Sequence, residues 1–332
     1  MDNLRWLLVG AGDIVRKRVA AALAGAEGSE IVGVCSRRRE TAQSLAAEYD
    51  VAQVFDNLDE ALEKSSADAV YIATPVELHV PQAVRALEGG KHVLVEKPLG
   101  VSGSDAARAV AAAKSSPDKV AGCAYYRRLY PAYRHTQEMV EKGAFGRIVL
   151  VRMVYFAWFD PAPDDPKYWR VVRTRSGGGP VADMGCHMLD LMVGLMGVPV
   201  RVYARCENLA HAWDVEDSAS MVMALQEGAQ ATASFGWNSK TWRHEFEIVG
   251  TEAKVYWHPY DSGEVIKTVG RDVETLDLKP AENVHQPLVE DFVGAVREGR
   301  QPACPLADAA RTNMLMDAIY RSSVENRAVE VT

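Results

Sequence analysis

The strongest constraint on this chain is an alternation that begins at its first residues. Leu4 to Val9 is a short apolar run, Gly10-Ala11-Gly12-Asp13-Ile14 forms a glycine turn, and an alanine-rich helical segment runs from Val15 to Leu23. The pattern then repeats. Strands at Glu30 to Cys35, Ala69 to Ile72, His92 to Val95 and Val120 to Ala124 alternate with helices at Glu40 to Tyr49, Leu58 to Lys64, Leu78 to Glu88 and Ser104 to Lys114. Strands and helices alternating through short connections imply a parallel sheet wound on both faces. Such a sheet takes ligands at the C-terminal ends of its strands, so residues 1–124 read as an α/β dinucleotide-binding domain of the Rossmann type.

That context gives the glycines meaning. Gly10 and Gly12 permit a tight turn and close approach of a pyrophosphate, whose charge is stabilised by the N–H groups at the following helix N-terminus; Asp13 and Ile14 complete the turn. Val15 stands where the usual fingerprint has its third glycine. A carboxylate is expected after the second strand, about 20 residues past the glycines, to bind the ribose 2′-hydroxyl of NAD. This chain has Ser36-Arg37-Arg38-Arg39 instead. A hydroxyl followed by guanidinium groups suits a 2′-phosphate, so NADP(H) is expected over NAD(H), with NAD(H) still possible. The competing reading makes these arginines a solvated helix start.

From Tyr130 the alternation stops. A helix to Glu141 leads into a strand, Arg147 to Phe156, that is apolar on both faces and must be covered on both. Further strands at Val200 to Glu207, Asp217 to Leu225, Gln230 to Trp237, Glu245 to Val249 and Lys254 to Trp257 give a second, α+β domain over residues 125–332, built on a large, mostly antiparallel open sheet. Helices such as Pro180 to Met196 and Leu288 to Glu298 can close one face. The small, weakly polar Ser218, Ser220, Thr232 and Ser234 suggest a flat outer surface for a second copy, hence a homodimer or higher homo-oligomer.

The densest chemistry lies in Gly177 to Leu191, GGGPVADMGCHMLDL. Pro180 presets the first turn of a helix after three conformationally permissive glycines. On an α-helix running to Met196, Asp183, His187 and Asp190 share one face. A carboxylate one turn from a histidine raises its pKa and fixes its tautomer, an arrangement suited to a proton shuttle near neutral pH. The plainer alternative is two surface carboxylates and a core histidine.

Composition excludes several classes. A formal charge of −8 argues against a nucleic-acid partner. No apolar run approaches the roughly 18 residues of a membrane span, and the N-terminal run leads into Gly10 without a cleavage site. The five cysteines are scattered with no CxxC pair, which fits free thiols in a reducing compartment. Cys186 beside His187 points elsewhere on a helix and has no second ligand pair, so no metal site is expected. The expected address is cytoplasmic.

Glu96-Lys97-Pro98 directly after a strand, together with the N-terminal GxGxI, the Thr74-Pro75 turn and GGGPVADMGCH, makes the chain resemble the glucose-fructose oxidoreductase and inositol dehydrogenase family, Gfo/Idh/MocA. The resemblance runs through Tyr126-Arg127-Arg128, Pro131, Gly143 to Ile148 and His244 to Val255. It implies an NAD(P)-dependent dehydrogenase or reductase of a sugar, cyclitol or related polyol. It also implies catalytic roles for Lys97, Asp183 and His187, with either Lys97 or His187 as the proton carrier. Cofactor contacts fall on Thr74, Pro75, His79, Glu96 and Lys97 besides the glycine turn and Ser36, Arg37 and Arg38; Glu96 and Pro98 also shape the loop, whose Lys-Pro peptide is often cis in the family. Tyr168, Trp169 and Arg170 are placed over the substrate by the same resemblance, as is Tyr126 at the domain junction; a loop packed by its own aromatics is the alternative for Tyr168. Asn283 and His285 are weaker candidates for the same cleft. Val76 and Tyr126 depart from the asparagines that many relatives carry there. Some relatives instead hydrolyse glycosides through a tightly bound NAD, and a non-catalytic nucleotide sensor is the third reading.

Overall fold

A computed structural model describes residues 3–332. The chain forms two compact units. The first comprises the described residues up to 100 together with 104–126 and 281–310, and the second 101–103, 127–280 and 311–332. Residues 281–310, assigned to the second domain by the sequence reading, therefore cluster with the first.

In the first unit, strands β1 (Leu4–Val9), β2 (Ser29–Cys35), β3 (Gln53–Phe55), β4 (Ala69–Ile72), β5 (His92–Val95) and β6 (Ala121–Cys123) form one sheet in the order β3-β2-β1-β4-β5-β6. Every pairing is parallel. Trp6, Leu7 and Leu8 of β1 are fully buried, so the strand reads as a continuous apolar run because both of its faces are covered. The Trp6 ring meets Tyr71 of β4 at 6.3 Å and Phe292, from the returning helix Gln286–Glu298, at 5.3 Å. The order of connection reverses at β1, with β2 and β3 on one side and β4 to β6 on the other. In open sheets of this kind ligands bind at that reversal, beyond the carboxyl ends of the strands.

The second unit holds a nine-stranded sheet built from β7 (Ile148–Trp158), β8 (Arg201–Glu207), β9 (Ser218–Ala224), β10 (Gln230–Gly236), β11 (Asn238–Gly250), β12 (Ala253–Trp257), β13 (Glu264–Val269), β14 (Asp272–Asp277) and β15 (Val329–Glu330). Its order is β14-β13-β12-β11-β7-β10-β9-β8-β15. The long central β7 pairs in parallel with β10 and antiparallel with β11; the remaining neighbours are antiparallel. Met221 and Met223 on β9, and Ala231, Ala233 and Phe235 on β10, are buried on one face. The turn Val181–Gly185 that opens helix Cys186–Met196 lies against β10. The opposite face carries Ser220 and Ser234, whose hydroxyls lie 3.2 Å apart, with the exposed Val222 and Tyr203. The hairpin β13–β14, the strand β15 and the helix Leu306–Glu325 are absent from the sequence reading. On β13 and β14 only Val265 is buried, so no apolar stripe marks them.

Candidate active site

The topology of the first unit carries four sequence-predicted segments to one edge. The turn at Gly10–Ile14 follows β1, Ser36–Arg38 follows β2, Thr74-Pro75 follows β4 and Glu96-Lys97 follows β5, all at C-terminal strand ends. Gly10 has φ +107°, and a Cβ there would stand 2.4 Å from the Ala73 carbonyl oxygen, so the turn after β1 is pressed against the turn after β4. At Gly12 a Cβ would meet only open space, which leaves the main chain bare beside the helix start. Val15 is fully buried at the head of a π-helical turn, Val15–Val19, so the larger side chain is housed within the unit's core. Asp13 is exposed and paired with Lys17 at 3.0 Å. Arg39 is paired with Asp56 at 3.3 Å, whereas the exposed Arg37 and Arg38 enter no ion pair among the described residues.

Two buried histidines brace the segment that bears Lys97. The ring nitrogens of His79 lie 2.9 Å from the Pro98 carbonyl oxygen and 2.8 Å from that of Thr74, so the side chain ties the turn after β4 to the turn after β5. Burial holds its pKa below the ordinary histidine value. On the other side of Lys97, the buried Glu96 carboxylate accepts the Tyr71 hydroxyl at 2.9 Å and the Lys97 main-chain N–H at 3.3 Å, with His285 Nε2 at 3.1 Å. Burial pushes the Glu96 carboxyl up, but His285, Lys97 and Tyr71 outweigh it and the pKa lies below its usual value. Lys97-Pro98 is cis. His285 is itself fully buried beneath Tyr126, ring centroids 4.7 Å apart, so it acts on Glu96 rather than reaching an open cleft. Tyr126 is only 5% exposed. Asn283 donates to the Arg18 carbonyl oxygen at 2.9 Å, anchoring the returning segment to the first helix. The Thr74 hydroxyl is engaged by Gln82 at 2.7 Å.

The second unit carries Asp183 and His187. The helix begins as a π-helical turn, Val181–Gly185, before becoming α-helical at Cys186. A π-turn has a longer hydrogen-bond span, so the shared face expected from an α-helical period does not extend unchanged from Asp183 to Asp190. Asp183 is half-buried and paired with Arg170 at 3.3 Å. His187 is 1% exposed. The Cys186 thiol donates to the Asp183 carbonyl oxygen at 3.1 Å, a local helical contact. Asp190 departs from the expected ionisable stripe. It is fully buried and takes two parallel bonds from the Arg128 guanidinium, both 2.8 Å, with the Thr312 hydroxyl at 3.3 Å. It is a fold-holding carboxylate.

Around Asp183, the loop residues sort by contact. Arg170 lies over the Trp169 ring at 5.6 Å as well as on Asp183. Tyr168 packs with Phe159 and Trp213 around Val171, Val215 and Trp237, so its ring helps to hold the loop together. Tyr155 on β7, which the sequence places both in a strand and at the head of the aromatic-rich segment Tyr155 to Arg175, belongs to this group. Burial and then the Asp183 charge push its phenol up to about 12, against Arg170, Trp237 and Arg127, which keeps it a protonated donor beside Asp183. Its place at the head of that aromatic segment is the available signal. The buried His244 lies edge-on to Tyr155 at 5.2 Å, and its pKa is lowered to about 4 by burial.

Two family models cover most of this chain. Residues 4–122 match an oxidoreductase family with an NAD-binding Rossmann fold, and residues 133–256 match the GFO/IDH/MocA C-terminal domain. Among named relatives, 1,5-anhydro-D-fructose reductase of Ensifer adhaerens is 28% identical over 98% of this chain and 98% of its own. The dTDP-3,4-didehydro-2,6-dideoxy-alpha-D-glucose 3-reductase of Streptomyces violaceoruber is 30% identical over 90% of this chain and 87% of its own. Levoglucosan dehydrogenase in complex with NADH and L-sorbose has the same fold, with a TM-score of 0.91 at 23% identity over the whole of both chains. An aldose-aldose oxidoreductase from Caulobacter crescentus gives 0.89 at 23% identity over 99% of both.

Proposed function

The chain belongs to the Gfo/Idh/MocA family of oxidoreductases, and from that premise we propose that it transfers hydride between NADP(H) and a hydroxyl or keto carbon of a sugar, cyclitol or related polyol. The observation that carries the reading is the bracing of Lys97. Two buried histidines, His79 and His285, hold its loop from either side, one through Pro98 and one through Glu96, and a scaffold that only senses nucleotide needs no such fixed lysine. The nucleotide edge suits the cofactor: open space at Gly12 admits a pyrophosphate, and Arg37 and Arg38 are available to a 2′-phosphate beside Ser36. When bound, the nicotinamide supplies the hydride acceptor or donor.

In this reading the chain's own groups manage the proton and the charge on oxygen. His187 takes the substrate hydroxyl proton in oxidation and returns it in reduction. Lys97 donates to the same oxygen and stabilises its developing negative charge. Asp183, held by Arg170, tunes His187; Tyr155, Trp169 and Arg170 supply hydroxyl, ring face and guanidinium for the sugar. Relatives named for reduction of 1,5-anhydro-D-fructose and of a dTDP-linked didehydro sugar favour a keto sugar as substrate. A second copy covering the sheet face of Ser220, Val222 and Ser234 completes the proposed assembly, in a reducing, cytoplasmic setting.

The test is nicotinamide absorbance with NADP(H) and separately NAD(H), against aldoses, cyclitols, anhydro-ketoses and dicarbonyls in both directions. Turnover that disappears in Lys97→Ala is the expected result. Tight nucleotide binding without turnover refutes the proposal, and glycoside hydrolysis or cofactor retained through purification would then favour the glycosidase-like reading. Sedimentation at micromolar concentration tests the second copy, and a monomer rejects it.

A further inference from the structure

The helix that carries Asp183 and His187 begins without a cap of its own. Pro180 occupies the N-cap position and makes no side-chain cap hydrogen bond. The first N–H groups of a helix find no partner within it, and when buried they must find one elsewhere. Here they find Glu216, the residue two before β9, which is 2% exposed. Its Oε1 accepts the N–H of Gly179 at 3.0 Å and that of Val181 at 3.3 Å, the two donors flanking the proline that has none. The same oxygen accepts the Tyr320 hydroxyl at 3.0 Å, from the helix Leu306–Glu325, and Arg173 stands 3.6 Å from Oε2. Three donors converge on Oε1 and the Arg173 charge faces Oε2, yet burial still pushes the Glu216 carboxyl up.

The glycines record how tightly this clamp closes. A Cβ on Gly179 would lie 2.0 Å from the Glu216 carbonyl oxygen, and one on Gly178 would lie 1.8 Å from the Tyr320 hydroxyl. Gly178 and Gly179 are thus required by close approach, beyond the dihedral freedom that the sequence alone credits to them.

The geometry points to Glu216 as a positioning residue: through the N–H groups of Gly179 and Val181 it fixes where the helix bearing Asp183 and His187 begins, and Tyr320 in turn fixes Glu216. The inference rests on the reading of Asp183 and His187 given under the proposed function. A shift of about 1 Å in a reacting group can cost about 10²-fold in rate, so a residue that never touches substrate can still govern turnover.

The experiment compares the full-length chain with Glu216→Ala, Glu216→Gln and Tyr320→Phe, using a sugar that the wild type turns over. Glu216→Ala is expected to lower kcat by about 10²-fold, with the sugar KM and the NADPH dissociation constant within about threefold of wild type. Glu216→Gln keeps an oxygen for both N–H groups and should restore most of that loss; a kcat for Glu216→Ala within threefold of wild type overturns the inference, as does a glutamine variant no better than alanine. If Glu216→Ala does not fold, Tyr320→Phe decides, with a fall in kcat of about threefold or more expected and none contradicting the clamp. Amide hydrogen exchange over residues 177–187 provides a readout free of activity. Exchange at least about tenfold faster in Glu216→Ala supports the clamp, and unchanged exchange overturns it. A wild type that turns over no sugar defeats the proposed function alone, and exchange then decides the clamp.

Discussion

Asp190 and Arg128 allow a quantitative test of whether a carboxylate on the helix of His187 serves chemistry or the fold. Asp190 is fully buried, Arg128 is 7% exposed, and two N–H···O bonds of 2.8 Å join them. Removing one partner strands the other's charge away from water, which costs about 3–5 kcal/mol, whereas replacing both by apolar groups of similar volume is often near neutral. The Coulomb attraction, about 4 kcal/mol at 4 Å for an effective dielectric of about 20, is of the same size. Asp190→Leu and Arg128→Met are each expected to destabilise the second unit by about 4 kcal/mol, and the double variant by about 2, a coupling near 6. Urea unfolding followed by tryptophan fluorescence measures this, taking the transition of the second unit separately, since a two-unit chain need not unfold in one step. Single effects that simply add would refute the reasoning.

The remaining expectations concern chemistry, cofactor and pH. His187→Ala should lower turnover by about 10²-fold or more at unchanged nucleotide affinity, and a near-normal rate rejects the shuttle role. Arg37→Ala and Arg38→Ala should each weaken NADPH binding by roughly 10-fold and leave NADH unchanged, with the difference shrinking in high salt because both side chains are exposed; equal losses for the two nucleotides in titration calorimetry would contradict the 2′-phosphate assignment. His244 is neutral in the folded chain down to about pH 4 but titrates near 6.5 when unfolded. The unfolded chain therefore binds the extra proton between these values, and stability is full above 6.5 and declines as pH falls, by about 3 kcal/mol once below 4. In His244→Phe that decline should be absent, and an unchanged pH slope of unfolding free energy would refute it.

Much of the first unit was legible because its signal is local. The strand–turn–helix alternation, the glycine turn and the Ser36-Arg37-Arg38 segment are contiguous in sequence, and parallel topology gathers strand ends that the sequence presents one by one. The supports of the candidate site were not legible, for the opposite reason. Glu96 meets His285 across 189 residues, Glu216 meets Tyr320 across 104, and Arg128 meets Asp190 across 62. In a window of sequence each of these carboxylates looks like a solvated one; only the fold reveals which are buried and paired. The polar β13–β14 hairpin escaped because a strand pair with one buried side chain has no apolar period to read. The π-turn at Val181–Gly185 escaped because periodicity assumes an α-helix.

The return of residues 281–310 to the first unit bears on how the protein is made. Trp6 acquires Phe292, and Glu96 acquires His285, only after every strand of the second unit except β15 has been synthesised. On the ribosome the nucleotide sheet must therefore wait, its apolar flank and a buried carboxylate incomplete, while the large sheet emerges and can fold around its own local pairings. A gene fragment ending at Tyr126 encodes an unfinished fold, whereas joining residues 281–310 to it through a short linker supplies the missing layer. Circularly permuted versions that bring these segments together should shorten the interval in which the nascent chain exposes its first core.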